Sequence, residues 1–168
     1  MDYRTELLNM VNKFNIESVE EFKEAELRIA RDSKFKSIRK KKDYDGHVQM
    51  LRKVKSKALR IDPKSVQIPE DDIETNQLRK AFETCMLTFS AVCDGYIQMQ
   101  LALKEKSEGA KVSYGQYKEL NNKVRSARAK LNDCLDEVNI LYSNFTEYSY
   151  EDNSEDLAGV EYKTYDQL

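Results

Sequence analysis

Two long stretches of the sequence place apolar residues alternately three and four positions apart. This spacing is the heptad pattern of helices that pack side by side at a small crossing angle. The first stretch predicts a helix over about 72–107, and the second predicts a helix over about 113–147. The apolar positions are Leu78, Phe82, Cys85, Phe89, Val92, Tyr96, Met99 and Leu103 in the first stretch, and Tyr117, Leu120, Val124, Ala127, Leu131, Cys134, Val138, Leu141 and Phe145 in the second.

The two patterns together predict an antiparallel helical hairpin. In such a hairpin, facing residues have numbers with a nearly constant sum: Leu78 with Leu141 gives 219, and Phe89 with Leu131 gives 220. The midpoint of these sums falls on Gly109 and Ala110, between the two helices, and glycine is favoured just beyond a helix end. Because the turn and the apolar seam agree on one register, we predict that Phe89 lies opposite Leu131.

Shorter helices are predicted before the hairpin. The pattern indicates a helix over 2–14, an interruption at Asn15 and Ile16, and a second helix from Ser18 to about residue 42. Ser18 and Glu21 have the spacing of a capping box, as do Ser113 and Gln116 at the start of the last helix.

A turn is expected at Tyr44-Asp45-Gly46, followed by an amphipathic helix over 47–61. Both prolines of the chain then mark a linker. The acids at its end, Glu70, Asp71 and Asp72, suit the positive N-terminal end of the next helix.

The helix over 72–107 also carries apolar residues away from the seam, among them Met86, Cys93 and Ile97. Other helices must therefore cover it, either those of residues 2–61 or those of a second copy. The predicted fold is all-α, an elongated antiparallel bundle of three to four helices built on the hairpin. Residues 1–147 form the bundle domain, and residues 148–168 form an acidic, tyrosine-containing, flexible tail.

Composition narrows the class of protein. The chain has 168 residues, of which 40% are hydrophobic and 35% charged, and no stretch resembles a signal peptide or a membrane span. The three cysteines, Cys85, Cys93 and Cys134, are odd in number and lack C-x-x-C spacing, which favours free thiols. A soluble cytoplasmic protein without a membrane role is therefore expected.

The net charge of −2 conceals a strong sorting of charge along the chain. Residues 23–64 contain 15 basic and 6 acidic side chains, whereas residues 133–168 contain 1 basic and 10 acidic side chains. One-signed fields of this kind steer association with an oppositely charged partner. The predicted basic contact residues are Lys36, Arg39, Lys40, Lys41, Lys42, Arg52, Lys53, Lys57 and Arg60, and the predicted contact residues of the acidic tail are Tyr148, Tyr150, Glu151, Asp152, Glu155, Asp156, Tyr162 and Tyr165.

Motifs for catalysis, metal binding or cofactor binding are not found in the sequence. The single histidine, His47, is expected to be a surface or helix-start residue, and Asp43-Tyr44-Asp45-Gly46 lacks the glutamate that a calcium loop needs at its twelfth position. Cys85 and Cys134 face each other across the predicted seam, where cysteine usually acts as a small apolar filler. No catalytic residue, metal ligand or cofactor is therefore predicted.

These observations favour a non-enzymatic protein–protein interaction module, such as an adaptor, inhibitor or regulatory partner of bacterial or phage type. It would act through its basic helical face and its acidic tail, which could also lie on the basic face. The alternative is a non-specific nucleic-acid-binding protein that uses the basic helices over 34–60 to contact phosphates, with Tyr44 and His47 the few groups suited to stacking. A homodimer through exposed apolar faces of the hairpin, or an enzyme with a site at the end of the bundle, are further alternatives.

Overall fold

The computed structural model describes residues 2–34 and 42–155, with the side chains of residues 2–32 and 42–146. Within these ranges every regular element is helical, which confirms the predicted all-α class. The α-helices are α1 (Tyr3–Phe14), α2 (Glu20–Lys34), α3 (Tyr44–Ala58), α4 (Ile73–Ser107) and α5 (Tyr114–Glu155).

The hairpin of α4 and α5 turns where the sequence predicts it. The N–H of Ala110 donates to the Glu105 carbonyl at 3.0 Å, and the N–H of Gly109 donates to the Lys106 carbonyl at 3.2 Å. These two bonds form a Schellman motif, and Gly109 has the positive φ of 100° that the motif requires. The hairpin and its glycine turn are therefore confirmed.

The start of α5 has the predicted capping box. The Gln116 N–H donates to Ser113 Oγ at 3.1 Å, and the Ser113 N–H donates to Gln116 Oε1 at 2.9 Å. Each residue thus satisfies a backbone donor that the first turn leaves free.

Close contacts between α4 and α5 confirm the register. A Cβ on Gly95 would lie 3.2 Å from Val124 Cγ2, and these two residues match the predicted sum of 219. Thr88 Oγ1 lies 3.7 Å from Cys134 Sγ in the same seam. Phe89 and Leu131 are both fully buried within one core.

A π-helical turn over Asn15–Val19 joins α1 and α2 into one continuous rod. The prediction of a helix start capped by Ser18 is therefore wrong, because Ser18 is buried inside this rod. In an unbroken α-helix, Phe14 and Phe22 would point about 80° apart. The wider π turn absorbs one residue and brings both rings to the same face.

The rod of α1 and α2 covers one side of α4. The Phe14 ring packs edge-on against Phe82 at 5.4 Å and Phe89 at 5.2 Å between centroids, and Phe22 packs against Phe89 at 5.4 Å. The helix α3 covers a further side of α4 with Val48, Leu51, Val54 and Ala58. The prediction that residues 2–61 cover α4 is confirmed.

Two polar clusters fasten the rod to the hairpin. Glu26 accepts bonds from Tyr96 Oη at 2.9 Å and from Arg128 Nε at 2.8 Å, so it links α2 to both α4 and α5. At the other end, Asp72 accepts bonds from Tyr3 Oη at 2.9 Å and Arg4 Nε at 2.8 Å.

Asp72 is also the N-cap of α4, since its Oδ1 accepts the Thr75 N–H at 3.1 Å. The prediction that an acid occupies this helix start is confirmed. Burial by itself would raise the pKa of Asp72. The hydrogen bonds from Arg4, Thr75 and Tyr3 outweigh burial and lower this pKa from 3.8 to about 2.

Two predicted boundaries differ from those of the structure, and a third falls largely on residues that the structure does not describe. The turn expected at Tyr44–Gly46 is instead the first turn of α3, with Asp43 as N-cap accepting the Gly46 N–H at 2.9 Å. The last helix extends beyond residue 147 to Glu155. The predicted continuation of the second helix to residue 42 falls largely on residues 35–41, outside the described ranges.

Candidate basic interaction surface

The cations of α3 lie on the side of the helix that faces away from the core. The buried stripe of α3 repeats every three to four residues, so the residues between its members point outward. Arg52 and Lys53 of α3 are exposed, as are Lys42 just before the helix and Arg60 just after it. The remaining predicted cations, Lys36, Arg39, Lys40 and Lys41, lie outside the described residues.

Two other lysines of α3 are already paired. Lys55 Nζ donates to both carboxylate oxygens of Asp94 on α4 at 2.7 Å. Lys57 pairs with Glu21 of α2, and its hydrogen bond lowers the pKa of Glu21 below its ordinary value. Both lysines therefore bind neighbouring helices, and Lys57 is less accessible than the predicted contact surface assumed.

Arg52 and Arg60 have no acidic partner at ion-pair distance in the described part of the chain, and neither has Lys53. We call these three residues with the exposed Leu59 the basic surface. They form no ion pair in this part of the chain, in contrast to Lys55 and Lys57, although Lys53 adds to the effect of Lys57 in lowering the pKa of Glu21.

An open groove of about 470 Å³ lies beside the basic surface, between α3 and α4. Leu59, which is 61% exposed, stands at this groove and offers an apolar contact among the cations. The residues that line the groove are Arg52, Lys55, Ser56, Leu59, Arg60, Asp94 and Ile97. The arrangement suits a ligand that combines negative charge with an apolar group.

His47 differs from its predicted surface position. It lies in the first turn of α3 as expected, but only 5% of its surface is exposed. Its Nε2 lies 2.8 Å from Asp32 Oδ2, and its Nδ1 lies 2.9 Å from Gln100 Oε1. The ring therefore ties α2, α3 and α4 together, and the surface prediction is wrong.

A sequence signal for this burial exists. His47 precedes Leu51 by four residues and Val54 by seven, so it continues the buried stripe by one further turn. The predicted helix starts at His47, so this residue was taken as a helix start and not as a member of the buried stripe.

A second charged strip lies on the outer side of α5. Asp133, Asp136 and Glu137 line a shallow groove of about 400 Å³ together with Ile140 and Leu141. We call the three acids and Ile140 the acidic strip. The sequence interpretation placed its acidic contacts only in residues 148–168 and missed this strip.

The predicted acidic tail overlaps the end of α5. Tyr148, Tyr150, Glu151, Asp152 and Glu155 belong to this helix, and their side chains lie outside the description. The other predicted tail contacts, Asp156, Tyr162 and Tyr165, lie wholly outside the described residues.

Cys85 and Cys93 are buried in the core of the bundle. Burial raises the pKa of Cys85 and of Cys93 from 9.0 to about 12, so neither is a reactive thiolate near neutral pH. Cys134 is half-buried beside Thr88. These positions support the interpretation of the cysteines as apolar filler.

Within the ranges that the structure describes, no cluster of three or more His, Cys, Asp or Glu residues could hold a metal ion. No helix in those ranges has the length and apolar character needed to span a membrane. Comparison with known proteins finds no significant match to a family model, to a curated protein or to a solved structure.

Proposed function

We propose that this chain is a non-enzymatic protein–protein interaction module whose basic surface on α3 binds an acidic partner protein. The observation that carries the proposal is the contrast among the cations of α3 and of the turn that follows it. Lys55 and Lys57 are neutralised by acids of neighbouring helices, whereas Arg52, Lys53 and Arg60 have no such partner in the described chain.

Uncompensated charge on a folded surface favours an interaction role. Unpaired cations raise the association rate with a negative partner. An exposed leucine beside two arginines resembles the mixture of apolar and arginine contacts found in the centres of protein interfaces. The acidic residues over 148–168 would form a second contact site in this module.

The cytoplasm is the compartment we propose for this activity. Cys85, Cys93 and Cys134 are all free thiols, and free thiols persist in a reducing compartment.

The alternative partner is nucleic acid bound through its phosphates. Non-specific binding to single strands normally adds base stacking on exposed aromatic rings. The two candidate rings have other neighbours: His47 is buried, and Tyr44 is half-buried near Tyr117, where burial raises the pKa of Tyr44. This placement favours a protein partner over nucleic acid.

The test reverses the three cations in the variant R52E/K53E/R60E. Affinity capture from a native lysate, with and without nuclease, should lose a nuclease-resistant protein partner in this variant. The matched control is K118E/R125E/K130E on α5, which changes the net charge equally at exposed positions and should retain the partner.

Equal capture by both variants would contradict the proposed role of the basic surface. Nuclease-sensitive capture, together with low-salt retention of duplex DNA that falls steeply as salt rises, would replace it with the nucleic-acid function.

A further inference from the structure

The basic surface and the acidic strip are complementary in charge, and each carries an exposed apolar side chain. Each consists of one shallow groove, of about 470 Å³ and about 400 Å³ respectively, with charges of a single sign left unpaired. Each also exposes one large aliphatic side chain, Leu59 at 61% and Ile140 at 64%.

Like the cations of the basic surface, the acids of the acidic strip form no ion pair within the described ranges. Asp133, Asp136 and Glu137 have no cation at ion-pair distance among the residues that the structure describes. Their spacing places them with Ile140 on a single outer face of α5. Beyond the strip, the last turns of α5 add three more acidic residues, Glu151, Asp152 and Glu155.

The two surfaces cannot meet within one molecule. The helix α3 contacts α4 through His47–Gln100, Lys55–Asp94 and Asp45–Lys104, whereas α5 contacts α4 through Thr88 and Gly95. At about 100° per residue, these two sets of α4 positions lie on nearly opposite sides of the helix. The bundle therefore holds the basic surface and the acidic strip apart.

We infer that the basic surface of one copy docks onto the acidic strip of a second copy. This inference rests on the proposed function, because it assigns a second copy of the chain as one acidic partner of that surface. The contact pairs Arg52 and Arg60 with the carboxylates of Asp133, Asp136 and Glu137, and brings Leu59 against Ile140.

The docking is head to tail, so a docked pair retains one free basic surface on one copy and one free acidic strip on the other. Heterologous contacts of this kind build open chains or rings rather than a single closed dimer. Since the surfaces are small and highly charged, the association is weak, reversible and sensitive to salt.

The experiment uses the full chain and two complementary variants. R52E/R60E keeps the acidic strip and loses the basic surface, whereas D133K/D136K/E137K keeps the basic surface and loses the acidic strip. Sedimentation equilibrium at low salt should show mass growing with concentration for the unmodified chain. Each variant alone should associate at least ~10-fold more weakly, because attractive pairs become repulsive ones.

Mixing the two variants provides the decisive measurement. One intact surface of each kind remains in the mixture, and the two reversed surfaces are again opposite in charge, so a mixed complex in which the two variants alternate should form. It should dissociate in about 1 M salt, where charges are screened beyond about 3 Å. The control E17K/E24K/E105K reverses three exposed acids elsewhere and should associate as the unmodified chain does.

An unmodified chain that stays monomeric at about 1 mM and low salt would overturn the inference, since a dissociation constant weaker than that corresponds to only about 4 kcal/mol of binding energy. A mixture that forms no complex would also overturn it. If in either case R52E/K53E/R60E still loses a captured partner, the proposed function stands without self-docking. If capture is unchanged as well, both proposals are wrong.

Discussion

The helices α4 and α5 have the same alternation of apolar residues, but α4 is buried on several sides and α5 mainly on one. The helix α4 packs against the α1–α2 rod, against α3 and against α5. In the described part of α5 the buried side chains are Val124, Leu131 and Val138. The heptad pattern therefore predicts that two helices pair, whereas the apolar residues outside it determine how many further neighbours each helix has.

The largest effect is expected where α4 meets three helices at once. Phe89→Ala removes a ring that contacts Phe14 and Phe22, and should lower the free energy of unfolding by about 3–5 kcal/mol. Leu131→Ala should cost less, about 2–3 kcal/mol, because a helix packed on one side relaxes more easily into a cavity. Urea unfolding of both variants measures the difference, and a larger loss for Leu131→Ala would contradict this view of α4 as the centre.

The next effect concerns the N-terminal end of α4. Because the pKa of Asp72 falls from 3.8 to about 2 on folding, its ionised form stabilises the fold by about 2 kcal/mol above pH 3.8. This contribution should decline as the pH falls from 3.8 towards 2. Asp72→Ala should lose it at neutral pH, together with the cap of α4.

Thermal unfolding as a function of pH provides the measurement for Asp72. The unmodified chain and Asp72→Ala should differ most at neutral pH and converge in acid. Asp71→Ala, which removes an exposed acid one position earlier, is the control. Curves that stay parallel down to pH 2 would show that the cluster around Asp72 does not act through its ionised carboxylate.

The smallest effect is expected at the link between α5 and α2. Arg128 and Glu26 are about a quarter and a fifth exposed, so their pair is neither fully screened nor fully desolvated. Arg128→Met should therefore cost about 1–2 kcal/mol, since Tyr96 still donates to Glu26. A double-mutant cycle with Glu26→Gln measures the coupling, and a coupling free energy near zero would assign the cost to the lost packing of Arg128 on Phe22.

Much of the hairpin could be predicted from the sequence because several local signals agree. The apolar spacing, the glycine after α4 and the capping box of Ser113 and Gln116 all specify the same register. Agreement between independent local preferences is typical of sequences that specify one fold.

The errors arise where local and tertiary preferences conflict. Ser18 has the sequence of a capping residue, but the packing of Phe14 and Phe22 on α4 keeps the chain helical through a π turn. As a result, Ser18 Oγ is buried without a hydrogen-bond partner in the described structure. Gly46 suggested a turn, but the Asp43 carboxylate lies where a side chain on residue 46 would stand, so glycine serves the cap of α3.

The candidate surfaces were predicted less completely than the fold. Charge counting found the cations of α3, since exposure follows directly from helical periodicity. It could not show that Lys55 and Lys57 have acidic partners, because Asp94 and Glu21 are distant from them in sequence. The acidic strip was missed for a related reason: its importance depends on Ile140 remaining uncovered, which only the packing of α5 reveals.

The bonds of His47 have a consequence for the connection between α2 and α3. The imidazole ring of His47 contacts the Asp32 carboxylate, so two residues that are 15 positions apart in the chain are held side by side. The entropy needed to close such a loop grows only slowly with its length. Lengthening the chain between these two anchors would therefore raise the entropic cost of their contact only slightly.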